Sequence, residues 1–211
     1  MTTTRTTTDT QQEDFSLPSF GYLKVALVLT GSAVTQVMPY WIEWARKTMP
    51  QVEFRIIMRE SAYRFVTRHG IESSSRSRIQ NDTWTDEIIA EHIDLAEWAD
   101  LILIYPATLD YASRLAHGIT DSPSLLAAVS TEAQVCIAPS FPPRSIKHPA
   151  IQEVLRKLRQ PSNYLVIDPV PGPSESSDTA LAWVPPNFVS VLRTIEEHRA
   201  ARLDSAYERA A

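Results

Sequence analysis

Five short apolar runs, four of them closed by Gly, Pro or Ser, set the frame of this chain. They are YLKVALVLTG (Tyr22 to Gly31), VEFRIIM (Val52 to Met58), DLILIYP (Asp100 to Pro106), AQVCIAPS (Ala133 to Ser140) and NYLVIDP (Asn163 to Pro169). Runs dense in Val, Ile and Leu, without polar alternation, read as strands buried on both faces, as in a parallel sheet. Helical patterns lie between them. Val37, Trp41, Trp44 and Ala45 recur at helical spacing before Pro50, and Pro39 either opens that helix or kinks it. SAYRFVTRHG reads as a short helix closing at Gly70, and residues 71–90 as a polar loop with at most a weak strand. Tyr111 to Ile119, Ser122 to Thr131, and a segment with Pro149 in its first turn continue the pattern. PGPSESSD, residues 171–178, reads as a flexible loop, and Asn187 onward as a closing amphipathic helix that frays. Strand-helix alternation of this kind specifies an α/β, doubly wound parallel sheet in a single domain. The expected boundaries are a disordered Thr-rich tail over 1–19, the domain over 20–200, and a C-terminal tail over 201–211.

Bulk properties narrow the function classes. The net charge of −5 over 211 residues gives no electrostatic case for nucleic acid. No 18-residue apolar run is present, so no membrane span is expected, and the N-terminal stretch has no apolar signal core. A lone cysteine, Cys136, excludes an internal disulfide and points to a reducing, cytoplasmic setting. Mid-strand, it reads as a small buried hydrophobe rather than a nucleophile. The histidines share no metal-ligand spacing, so no metal is expected.

In an open parallel sheet, ligands bind beyond the C-terminal strand ends, near the switch in strand order. Four segments fall there: TGSAVT (Thr30 to Thr35), ESAYRF (Glu60 to Phe65), PATLDYA (Pro106 to Ala112) and APSFPPRS (Ala138 to Ser145). Gly31 lets backbone approach a ligand, while Ser32 and Ser61 offer hydroxyls at helix starts. Asp110 reads most simply as the N-cap of the next helix. His92 is either a helix-face residue or a general acid-base, since imidazole titrates near neutrality.

Taken in order, TGS, SAxxF, H-x-x-L-x-x-WAD (His92 to Asp100) and PATLDYASRLAHGITDS (Pro106 to Ser122) resemble the homo-oligomeric flavin-containing cysteine decarboxylases over residues 22–160. That family includes phosphopantothenoylcysteine decarboxylase and the enzymes that act on a peptide's C-terminal cysteine. The resemblance implies a flavodoxin-like fold, FMN as cofactor with FAD the alternative, and a trimer or a dodecamer of trimers with flavin at the subunit boundary. By position, Gly31, Ser32 and Ala33 should meet the flavin's ribityl or phosphate, and Ser61 and Phe65 its phosphate end. Ala107, Thr108, Leu109 and Asp110 should face the ring, with Ser140 near it. His92 matches the active-site histidine.

Two departures stand out. Asp110 and Tyr111 replace the family's Asn and Thr, and an ionised Asp accepts hydrogen bonds but cannot donate. Pro142 stands where the family's substrate-carboxylate Asn is expected, leaving Arg144 as the candidate replacement clamp. A divergent clamp fits a divergent substrate. The implied reaction is oxidative decarboxylation of the C-terminal cysteine of a ribosomal precursor peptide, giving an enethiol for an aminovinyl-cysteine ring. Other biosynthetic enzymes are further expected partners. The alternatives are a phosphopantothenoylcysteine decarboxylase-like enzyme and a non-catalytic flavin-binding regulatory subunit.

Overall fold

The computed structural model describes residues 19–85, 90–174 and 177–210, so all but the last residue of the expected N-terminal tail lies outside the described residues. Among the described residues the strands are β1 (Lys24–Leu29), β2 (Glu53–Met58), β3 (Gln80–Asn81), β4 (Leu101–Thr108), β5 (Gln134–Ser140), β6 (Tyr164–Val166), β7 (Val170–Ser174) and β8 (Ser177–Val184). The α-helices among them are α1 (Met38–Thr48), α2 (Arg68–Ser75), α3 (Glu91–Trp98), α4 (Leu109–Ala116), α5 (Pro123–Ser130), α6 (Pro149–Leu158) and α7 (Phe188–Ala210).

The first six strands form one all-parallel sheet in the order β3-β2-β1-β4-β5-β6. The chain moves outward from β1 to β3, then returns beside β1 and moves the other way. The order therefore switches between β1 and β4, and their C-terminal ends frame a crevice. This is the flavodoxin-like α/β arrangement, and it follows from the apolar runs. Successive strand residues face opposite sides of a sheet. Leu27, Leu29, Ile56, Leu101 and Leu103 pack under α1 and α7 with Met38, Phe188 and Leu192. Ala26, Val28, Ile102, Ile104, Val135 and Ile137 pack under the other face with Leu115, Leu125 and Leu155. Cys136 is fully buried, and burial holds its thiol well above the ordinary range, so it is a core residue.

Local differences from the sequence reading have physical reasons. Pro39 opens α1 rather than kinking it, because its missing N–H falls in the first turn. The expected Ser61–Gly70 helix is two pieces. A 3-10 turn covers Glu60–Arg64, and Thr67 then caps α2 by accepting from the Gly70 N–H at 3.1 Å. Gly70 thus sits in a first turn and closes nothing. Of residues 171–178, expected as a flexible loop, 175–176 lie outside the described residues, and the others belong to β7 and the start of β8, which pair antiparallel. This ribbon joins the main sheet through Phe141 and Trp183, whose backbones exchange hydrogen bonds of 2.6 and 3.0 Å. Pro171 is tolerated because a two-stranded ribbon is all edge. The closing helix α7 runs unbroken across the expected boundary at residue 200, and Arg202 reaches back to Gln134 at 3.0 Å. Among the described residues no helix is long and apolar enough to cross a membrane.

Buried phenols give the fold an alkaline limit. Burial pushes Tyr164, whose hydroxyl donates to the Ala128 carbonyl at 2.9 Å, up to about 12. Tyr22 is pushed up to about 12, burial outweighing the neighbouring Arg199 and Arg202. The unfolded chain ionises these groups near the ordinary value of about 10. Their contribution is therefore intact below about pH 10 and lost as pH rises toward 12. Melting temperatures taken from pH 9 to 12 should fall more shallowly for Tyr164→Phe than for the parent. The same variant should cost about 0.5–1.5 kcal/mol at neutral pH for its lost hydrogen bond. Parallel curves would remove Tyr164 from this account.

Candidate active site at the strand switch

Thr30 builds the floor of the crevice. It is fully buried. Its hydroxyl donates to the Pro106 carbonyl at 2.6 Å and accepts from the Thr108 N–H at 3.0 Å. Direct β1–β4 pairing stops at Val28 and Ile104, and β4 is irregular between Ile104 and Ala107. The Thr30 side chain thus takes over where the ladder ends. The Thr35 hydroxyl, donating to the Thr30 carbonyl at 2.6 Å, fixes the following 3-10 turn over Ala33–Val37.

Above this floor lies a cavity of about 420 Å³. Gly31, Ser32 and Ala33 line it from the end of β1, Phe65 from beyond β2, Thr108, Leu109 and Asp110 from the β4–α4 turn, and Ser140 and Pro142 from the end of β5. Ser32 accepts from the Val34 N–H at 3.3 Å and meets the Ser140 hydroxyl at 2.7 Å, so two strand ends share a hydroxyl pair at the cavity wall. The roof was not read from the sequence. Phe141, Pro143, and Ser174, Ala182 and Val184 of the ribbon supply it.

Gly31 has a tighter task than ligand approach. A Cβ there would lie 2.6 Å from the Ser61 Cβ and 2.9 Å from the Ser61 carbonyl oxygen. The glycine lets the turn after β2 close against the turn after β1. Ser61 itself lines a second hollow of about 430 Å³ with Arg59, Asp82, Trp84, Asp121 and Ser122. Asp110 lines both hollows.

Asp110 is not the helix cap. Thr108 is, its side chain accepting from the Tyr111 N–H at 3.4 Å, because the cap position falls two residues before the acid. Asp110 occupies the first turn of α4, where an anion suits the helix dipole. Arg114 Nε donates to both of its carboxylate oxygens at 3.0 and 3.1 Å, and the same guanidinium contacts Asp121. Tyr111 is fully buried.

A buried anion ties this region together. The Asp82 carboxylate accepts from Arg59 Nη1 at 3.1 Å, the Ser122 hydroxyl at 2.8 Å, the Ser124 hydroxyl at 2.8 Å and the Ser124 N–H at 2.9 Å. Since the Ser124 hydroxyl donates to Asp82, the Tyr111 hydroxyl donates to Ser124, at 2.8 Å. Burial and the Asp82 charge hold the Tyr111 phenol far above its ordinary range. Asp82 lay in the stretch read as loop, and no periodic signal marks it.

Besides Ser61, three expected residues stand apart from the cavity lining. Ala107 is buried within β4, paired with Pro139. Arg144 is exposed, with a left-handed backbone at φ 65°, and Pro142 and Pro143 rather than its side chain reach the wall. His92, on α3, lines neither hollow. It packs edge-on against Trp84 at 5.5 Å, and its Nδ1 is buried with no hydrogen-bond partner among the described residues.

The Flavoprotein family model matches residues 19–195, and the chain belongs to that family. It is 36% identical over 120 residues to the coenzyme A biosynthesis bifunctional protein CoaBC of Bacillus subtilis, covering 56% of this chain and 29% of that one. It is 30% identical over 116 residues to the cypemycin cysteine dehydrogenase (decarboxylating) of a Streptomyces species, covering 54% of this chain and 61% of that one. These matches span less than two thirds of either relative. The crystal structure of the cypemycin decarboxylase CypD superposes with a TM-score of 0.69 at 23% identity, covering 84% of this chain and 93% of that one.

The Gly31–Ser61 contact sets the shape of the cavity mouth. Gly31→Ala should cost about 1–3 kcal/mol by overpacking. Adding Ser61→Gly should return part of it, because it removes the side-chain contact and leaves the one to the carbonyl oxygen. Urea midpoints of the two singles and the double measure this coupling, and purely additive effects would contradict it.

Proposed function

We propose that the chain binds FMN in the strand-switch cavity and catalyses oxidative decarboxylation of the C-terminal cysteine of a peptide. The observation that carries the reading is the convergence of Gly31, Ser32, Ala33, Phe65, Thr108, Leu109, Asp110 and Ser140 on one cavity in a Flavoprotein-family chain. Its volume falls in the range of small-ligand sites, about 300–1,000 Å³. The donor set suits a mononucleotide flavin. Phe65, Leu109 and Val184 offer apolar walls for a flat ring, while the Ser32 and Ser140 hydroxyls offer polar contacts to a ribityl chain. When bound, the flavin supplies the two-electron acceptor that an unassisted cysteine lacks.

The remaining work falls to the protein. The Pro142–Pro143 wall and the ribbon hold the peptide's end over the cavity and limit water there. His92 takes the thiol proton on a ring nitrogen. Because His92 lines neither hollow of its own subunit, its role requires a homo-oligomer that brings it to a neighbour's cavity. Trp84 and Ile93, each 49% exposed beside it, provide an apolar face for that contact. A trimer or a dodecamer of trimers is the assembly expected. A peptide is favoured over a phosphorylated small substrate, since Asp110 and the prolines replace the family's usual contacts. The conditions proposed are cytoplasmic.

The purified protein should carry a yellow flavin chromophore and convert peptides ending in Cys with a mass loss of about 46 Da, CO2 plus two hydrogens. His92→Asn should keep the flavin and lose about 10²–10⁴-fold in turnover. Mixing His92→Asn chains with chains unable to bind flavin should restore part of the activity. Bound flavin without mass change across a broad peptide set would favour a non-catalytic flavin-binding subunit.

A further inference from the structure

The acid at the cavity wall is paired in a way that the shared family motif does not account for. Asp110 faces the cavity where the flavin reading places the ring, and a bare carboxylate there disfavours negative charge building on that ring. This carboxylate is not bare. Arg114, one helical turn on, holds both of its oxygens through Nε and contacts Asp121 with Nη1. Asp at the first turn and Arg at the last turn of α4 are each placed with the helix dipole, so the pairing is built into the helix. The three groups carry a net charge of −1, by adding two carboxylates and one guanidinium. Loss of Arg114 would leave two uncompensated acids, one of them on the cavity wall.

We propose that Arg114 is a positioning residue that sets the charge presented to the cofactor, fixing the Asp110 carboxylate in place and offsetting it, and so tunes the reduction potential of the bound flavin. The inference rests on the FMN reading above. It assigns Arg114 an electrostatic role without contact to substrate, and it gives the unusual Asp a partner that makes it compatible with a ring that gains electrons. The side chains of Arg114 and Asp110 are 33% and 63% exposed, so their effect is open to screening by salt.

The test uses the FMN-loaded protein and measures the flavin midpoint potential by dye equilibration at low and high ionic strength. Arg114→Met should shift the potential downward and weaken retention of reduced FMN relative to oxidised FMN. Asp110→Asn should shift it upward. The double variant, which returns the triad to the parent's net charge of −1, should sit between the two single variants and near the parent. Arg114→Lys should recover part of the parent value as a point charge. All shifts should shrink in high salt. A helix support without electrostatic role would change melting temperature alike in all variants and leave the potential unmoved, and that result overturns the proposal. Absence of bound FMN in the parent protein would instead overturn the cofactor reading, and this inference with it.

Discussion

The hydroxyl of Thr30 is the joint on which the candidate site depends. Parallel pairing between β1 and β4 ends before the strands do, since β4 shifts register after Ile104. Without another link the two strand ends would be free to part. Thr30 closes the gap by donating to Pro106 and accepting from Thr108, and its own carbonyl is held by Thr35. One buried side chain thereby positions the turn that opens α4, the 3-10 turn that carries Ser32, and the floor between them. A buried hydroxyl with both roles satisfied costs little, whereas an unmet one costs about 1–3 kcal/mol.

The same economy applies one layer away. Asp82 is a fully buried charge, which is unfavourable unless every lone pair is met. Arg59, Ser122 and Ser124 meet them, and the Arg59 guanidinium lies 5.5 Å over the Tyr111 ring. The network joins the end of β2, the stretch after β3, and the starts of α4 and α5. Tyr111, which departs from the family's Thr, thus belongs to this scaffold.

Most of the sheet was legible in the sequence because a two-sided buried strand leaves a dense apolar run, as in LILIY. The site turns were legible because strand ends at an order switch are where ligands go. What escaped had no such signature. The β7–β8 ribbon is rich in Pro, Gly and Ser at its start, a composition that loops share. The caps were misplaced because Thr108 and Asp110 are both capping residue types, and only the geometry of the turn selects one. Asp82 and Arg59 are sequence-distant partners, and their pairing depends on β3 lying beside β2. Ser61 lines a neighbouring hollow, where the 3-10 turn that bears it closes against Gly31, a contact that no sequence pattern marks.

The cavity walls come from residues as far apart in the chain as Gly31 and Val184, and the ribbon that forms the roof meets β5 through the Phe141–Trp183 bridge. Whatever fills this space touches the first strand and the last ribbon at once. Binding there is therefore also cross-linking, and its free energy adds to the cohesion of the fold through mass action. The ribbon, joined to the main sheet through the Phe141–Trp183 bridge, is the element with most to gain from a cofactor seated under it.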